Sequence, residues 1–114
     1  MPQLEPSRLQ LSARHLEILR NLLAQCVPQA VVWAYGSRVN GMSHEGSDLD
    51  LVVRHPTDLS RSVAGVIELR ESLQRSSLPM LVEIHEWSQL PESFRRNIES
   101  GYVMVSSGAA GHQD

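Results

Sequence analysis

The chain contains no lysine, because all ten of its basic residues are arginines. Its 13 acidic residues outnumber them, which gives a formal net charge of −3 at neutral pH. A mildly acidic chain without lysine lacks the broad positive surface with which proteins track a nucleic-acid backbone. We therefore expect no direct binding of nucleic acid.

Cysteines and long apolar runs are also scarce. The single cysteine, Cys26, excludes an internal disulfide and a zinc site built on cysteines, and it fits a reducing cytosol. Charged residues interrupt the first thirty positions, so that no signal peptide is evident. The longest uncharged run, residues 21–37, contains proline and amide side chains and is not typical of a membrane span. The sequence thus predicts a cytoplasmic protein without membrane contact.

What the chain does contain fits one small domain. A length of 114 residues with 41% hydrophobic residues is enough for a single hydrophobic core. We expect a lead-in over residues 1–11, the domain over residues 12–105 and a flexible tail over residues 106–114.

Apolar periodicity predicts alternating helices and strands within that domain. One helix is expected directly after Ser12, and two more are expected over residues 60–75 and 88–100. Strands are expected over residues 30–35, 48–54 and 80–87, with a further extended piece at 102–105. This order is typical of an α/β or α+β domain with a single sheet and its helices on one face.

Three acidic residues are predicted on adjoining strands. Asp48 and Asp50 stand two positions apart, so both carboxylates point to one face, roughly 6–7 Å apart along the backbone. Glu83 lies among apolar neighbours of the third strand, where an unpaired acid is costly. The negative charges of three neighbouring carboxylates repel one another unless cations such as Mg²⁺ bind to them. The residues alone also allow a solvated face or turn caps for the Asp pair, and a surface acid on an edge strand for Glu83.

Gly36 and Ser37 end the first strand abruptly, and such a turn can offer backbone N–H groups and a hydroxyl to phosphate oxygens. Ten residues then separate Ser37 from Asp48-Leu49-Asp50. This string resembles the G-S-x10-D-x-D signature of the DNA polymerase β-like nucleotidyltransferase superfamily. Over residues 11–105 the chain more closely resembles the minimal nucleotidyltransferases, called MNT, of HEPN–MNT toxin–antitoxin pairs. Their third acid lies in a strand that ends in Trp ahead of a helix, as residues 82–87 do here.

The resemblance implies a nucleotidyltransferase fold of the α/β (α+β) type. Its short mixed sheet would carry helices on one face and the carboxylate site on the other. The implied catalytic residues, which are also the implied ligands of two Mg²⁺ ions, are Asp48, Asp50 and Glu83. The implied nucleotide-binding residues are Gly36, Ser37, Arg38 and Ser47.

The resemblance also implies a function. The protein would be an Mg²⁺-dependent enzyme that moves a nucleoside monophosphate, AMP from ATP, to a hydroxyl. MNT proteins modify a tyrosine of a HEPN ribonuclease toxin, so we expect an antitoxin in a hetero-oligomeric complex with such a toxin.

Glu83 departs from the aspartate that is common in the family. Its extra methylene displaces the carboxylate, and Mg²⁺ requires near-octahedral geometry. An alternative is therefore a binding module that neutralises its partner by docking, with a weak or inert nucleotide site. Transfer to a small drug is a third interpretation, although such enzymes generally need a second domain to hold the acceptor.

Overall fold

Four strands form one sheet in the described part of the computed structural model, which comprises residues 3–41 and 47–108. The strands are β1 (Val31–Tyr35), β2 (Leu49–Arg54), β3 (Val82–Glu86) and β4 (Tyr102–Ser106). They lie side by side in the order β3-β2-β1-β4. β1 is antiparallel to both β2 and β4, whereas β2 and β3 are parallel. The sheet is mixed, as predicted.

The α-helices of this part of the chain are α1 (Ala13–Cys26), α2 (Ser37–Asn40), α3 (Val66–Gln74) and α4 (Glu92–Glu99). Ser12 caps α1 as predicted, because its hydroxyl accepts a hydrogen bond from the backbone N–H of His15 at 3.1 Å. None of the helices described is both long and apolar enough to cross a membrane.

Some element boundaries differ from those that the sequence predicts. α3 begins at Val66, well after residue 60, because Gly65 before it has a φ of 96° and lies directly against the backbone carbonyl of Cys26. The last helix begins at Glu92, since residues Trp87–Gln89 form a separate 3-10 turn. α2 is absent from the prediction, because a helix of one turn is too short to show apolar periodicity.

The main core lies between one face of the sheet and the helices α1 and α3. It contains the alternate strand residues Leu49, Leu51, Val53 and Ile84, together with Leu19, Leu23 and Leu69 from the helices. Alternation along the strands therefore places the acids of β2 and β3 on the opposite face. This arrangement confirms the predicted α+β class, with a mixed sheet whose carboxylates face away from the main core.

The carboxylate face is nevertheless partly covered, which the sequence did not predict. Trp33 and Val52 on this face form a second apolar cluster with Trp87 and with Ile98 of α4. The helices therefore lie on both faces of the sheet, whereas the sequence predicts them on one face only. The physical reason is that the sheet carries large apolar side chains on both faces, and α4 removes those of the second face from water.

The segment before α1, which the sequence analysis treats as a lead-in, contacts β4. The backbone N–H of Leu4 donates to the carbonyl of Tyr102 at 2.7 Å, and Gln3 forms a parallel bridge with the same residue. A 3-10 turn, Pro6–Arg8, follows, and the Leu9 side chain enters the main core. Residues 42–46 of the predicted loop and residues 109–114 of the predicted tail lie outside the described residues.

Candidate active site

The register of the sheet brings two of the predicted catalytic acids side by side. Asp50 pairs with Tyr35 of β1 on one side and with Glu83 of β3 on the other. Neighbouring strands lie about 4.8 Å apart, and directly paired residues point to the same face. Asp48 comes one residue before β2, and it is exposed, as is Glu83. We call Tyr35, Asp50 and Glu83 the carboxylate row.

The carboxylates of this site repel one another. The pKa of Asp50 is raised above its ordinary value of 3.8, first by burial and then by the negative charges of Asp48 and Glu83. His85, two residues after Glu83 on the same face, acts in the opposite direction. Asp48 and Glu83 thus both disfavour the charged form of Asp50, and a bound cation would relieve this repulsion.

Tyr35 also belongs to the site, although the sequence motifs do not include it. Burial raises the pKa of its phenol, and the charges of Asp50 and Glu83 raise it further. Its ring meets that of Phe94 edge-on at a centroid distance of 6.0 Å, and the His85 ring lies 5.7 Å from Phe94. α4 therefore borders the carboxylate row through Phe94. The feature of the sequence that could have indicated Tyr35 is its position directly before the Gly-Ser turn.

Gly36 lies against the carboxylate of Asp50. An added Cβ at this position would come within 2.6 Å of Asp50 Oδ2, and the backbone has a φ of 85° and a ψ of −153°. Only glycine adopts this conformation readily. Its carbonyl accepts hydrogen bonds from the N–H groups of Val39 and Asn40, which close the single turn of α2. The fold thus joins the predicted phosphate turn, Gly36 and Ser37, directly to the acids.

The donor set of the site fits Mg²⁺, although its side chains are not gathered around one point. Within residues 3–41 and 47–108, no three acidic, histidine or cysteine side chains form a group that could hold a metal ion in their present positions. Mg²⁺ binds carboxylate oxygens together with phosphate oxygens of a substrate. The carboxylates of Asp48 and Glu83 are exposed, and the pKa of Asp50 is raised, first by its burial and then by these two charges.

Arg38 and Ser47 bond to each other in the interior. The Arg38 side chain is 8% exposed, and its Nε and Nη2 donate to the carbonyl of Ser47 at 3.1 and 2.9 Å. Its Nη1 donates to the carbonyl of Gln10 at 2.8 Å. These bonds connect α2 to the start of β2 and to the N-terminal segment.

Replacing Arg38 with an apolar side chain should destabilise the fold. For Arg38→Met we expect a loss of about 2–4 kcal/mol in the free energy of unfolding, because two backbone carbonyls lose charged donors. Urea denaturation measures this loss. Arg14→Met, which changes an exposed arginine of α1, is the control and should stay within about 0.5 kcal/mol of the unaltered protein. Equal stabilities of the two variants would contradict the structural role of Arg38.

The mixed sheet places the Gly-Ser turn beside acids of two adjacent strands. This arrangement defines the class of nucleotide-transferring enzymes that the sequence predicts. The family model of the nucleotidyltransferase domain matches residues 14–105, and the chain belongs to this family. The chain is also similar to the probable protein adenylyltransferase MntA of Haemophilus influenzae, with 36% identity over 102 residues. That alignment covers 87% of this chain and 85% of the relative. The predicted membership of the minimal nucleotidyltransferases, and with it the enzyme class, is confirmed.

Proposed function

We propose that this protein transfers AMP from ATP to a tyrosine hydroxyl of a HEPN-type ribonuclease toxin and thereby acts as its antitoxin. The observation that carries the proposal is the register of Asp50 with Glu83, directly beside Gly36. The relative from Haemophilus influenzae, by its name a probable protein adenylyltransferase, supports transfer to a protein.

The three acids and the Gly-Ser turn have different roles in this proposal. In the transfer, the tyrosine oxygen would form a bond to the α-phosphorus of ATP and lose its proton to water, while the bond from that phosphorus to the β-phosphate would break and pyrophosphate would leave. Asp48, Asp50 and Glu83 would hold Mg²⁺, which would supply positive charge for the triphosphate and for the attacking oxygen. Gly36 has no side chain, so phosphate oxygens can approach the backbone closely. Ser37 begins α2 directly after it and offers a hydroxyl to the same oxygens.

The surroundings of the carboxylate row support an acceptor that comes from another protein. β3 lies at the edge of the sheet, and its pairing among the described residues is with β2. Leu81, one residue before β3, is 56% exposed. The unpaired edge of a sheet is a place where a second protein can approach. The acceptor tyrosine would thus enter over the β3 side of the site.

Mass spectrometry of the partner tests this function. Incubation of a HEPN ribonuclease from the same organism with this protein, ATP and Mg²⁺ should increase the mass of the partner by that of AMP, attached to a tyrosine. A chelator should prevent the addition, because the triphosphate and the three acids repel each other without cations. An unchanged mass of a partner that binds tightly would contradict transfer and support the docking module.

Variants of Glu83 further distinguish AMP transfer from neutralisation by docking. Glu83→Gln should lose the transfer, since the amide removes a charge from the proposed metal site. Glu83→Asp should keep or improve it, because it restores the acid that is common in the family. If both variants neutralise the ribonuclease as well as the unaltered protein does, neutralisation depends on docking alone.

A further inference from the structure

A second feature of the site is a cleft of about 330 Å³ beside Gly36, on the side of the N-terminal segment. Tyr35 and Gly36 line it at the end of β1, Asn40 lines it from α2 and Asn97 from α4. Arg8 lines it from the segment before α1. We call this space the Gly36 cleft. It begins at the turn that the proposed function assigns to the phosphates.

A nucleoside triphosphate at this turn needs a basic side chain nearby. The phosphate chain is strongly negative, the neighbouring acids Asp48, Asp50 and Glu83 are negative, and the chain as a whole has a net charge of −3. Metal ions offset part of this repulsion, and arginine is the side chain that best matches phosphate oxygens. Arg38, the arginine nearest in sequence to Gly36, already donates to the carbonyls of Ser47 and Gln10.

Arg8 is held at the cleft by contacts on both sides of it in the chain. On one side, the backbone N–H of Leu4 donates to the Tyr102 carbonyl at 2.7 Å. On the other side, Leu9 is buried, and the backbone N–H of Gln10 donates to the Arg38 carbonyl at 2.7 Å. The backbone of Arg8 therefore has a defined position. Among the residues that the structure describes, none accepts a hydrogen bond from its guanidinium.

We propose that Arg8 binds the β- and γ-phosphates of the nucleotide in the Gly36 cleft. Arg38 then acts as a positioning residue, since its bonds to Gln10 hold the segment that carries Arg8. The inference rests on the proposed function but goes beyond it, because Arg8 precedes residues 14–105, which the family model matches. It gives the segment before α1 a part in substrate binding.

Calorimetric titration with ATP and with AMP, both in the presence of Mg²⁺, tests the proposal. Arg8→Ala should weaken the binding of ATP by about 10-fold to 100-fold, the range for loss of charged hydrogen bonds. The affinity for AMP should stay the same, because AMP lacks the two outer phosphates. The affinity of Arg8→Lys for ATP should lie between those of Arg8→Ala and the unaltered protein, since lysine keeps the charge but lacks the planar guanidinium with its paired donors. Arg14→Ala removes the same charge from an exposed position of α1 and should bind ATP normally.

The outcomes separate this inference from the proposed function. Equal ATP affinities for Arg8→Ala and Arg14→Ala would overturn the role of Arg8, and so would an equal loss for ATP and AMP. Failure of the unaltered protein to bind ATP would overturn the proposed function together with this inference. Unchanged unfolding temperatures of the variants confirm that the comparison is made on folded protein.

Discussion

Asp50→Asn should reduce the transfer of AMP by at least about a hundredfold, the scale expected when a group that stabilises the transition state is removed. Asparagine keeps the size of the side chain but lacks the negative charge that attracts a divalent cation. The same substitution should raise the thermal stability at neutral pH, because it removes a partly buried carboxylate that Asp48 and Glu83 repel. Single-turnover transfer and thermal unfolding measure the two effects.

The gain in stability should depend on pH in a defined direction. The pKa of Asp50 is raised in the folded protein, so this group contributes stability below its ordinary value of 3.8 and loses that contribution as the pH rises through the raised value. The unfolding temperatures of Asp50→Asn and the unaltered protein should therefore converge on acidification. A variant that transfers AMP at the original rate, or that is less stable at neutral pH, would contradict the assignment.

Asp58→Asn is the matched control for Asp50→Asn. The pKa of Asp58 is lowered, first by hydrogen bonds from the side chain and backbone of Ser60 and then, in part, by Arg61 and His55. Its charge therefore contributes stability above the ordinary value, which is lost as the pH falls through the lowered pKa. Asp58→Asn should not gain stability at neutral pH and should leave transfer intact.

Gly36→Ala should reduce both transfer and stability. The backbone conformation at Gly36 costs other residues of order 1–3 kcal/mol, and the new Cβ would come within 2.6 Å of Asp50 Oδ2. The carboxylate must then move away from the phosphate turn. We expect transfer to fall by about a hundredfold or more, since a displacement of about 1 Å at a reacting group has effects of this size.

Gly41→Ala distinguishes backbone strain from displacement of Asp50. Gly41 has the same φ of 85°, but an added Cβ there would meet nothing within 4 Å. This variant should lose stability, as Gly36→Ala does, and should transfer AMP at nearly the original rate. Equal losses of transfer in both variants would show that strain alone, and not the position of Asp50, explains the effect.

Local patterns in the sequence were sufficient for the elements that determine the class of the protein. Alternation along 48–54 and 80–87 placed the acids on the face opposite Leu51 and Ile84, and the sheet confirms it. The Gly-Ser turn with its Asp pair likewise lies within one stretch of chain. Spacing along a strand determines which side chains share a face, so such features can be read without knowledge of distant contacts.

Other features of the site were not predictable in this way. Arg38 directly follows Ser37, but its side chain donates to the carbonyl of Gln10, which lies 28 residues earlier in the chain. Likewise, α4 covers part of the carboxylate face because its Ile98 belongs to the same apolar cluster as Trp33 and Val52. Each of these contacts depends on which segments, distant in the chain, pack against one another.

The sequence by itself therefore determined the nucleotidyltransferase class, the faces of the strands and the candidate acids, because these follow from residue types at short spacings. The tertiary structure decided that Tyr35 stands beside Asp50, that Arg38 is buried and that Arg8 lines the cleft next to Gly36. The physical reason is that burial and proximity arise from packing between segments that are far apart in the chain, and no local pattern encodes that packing.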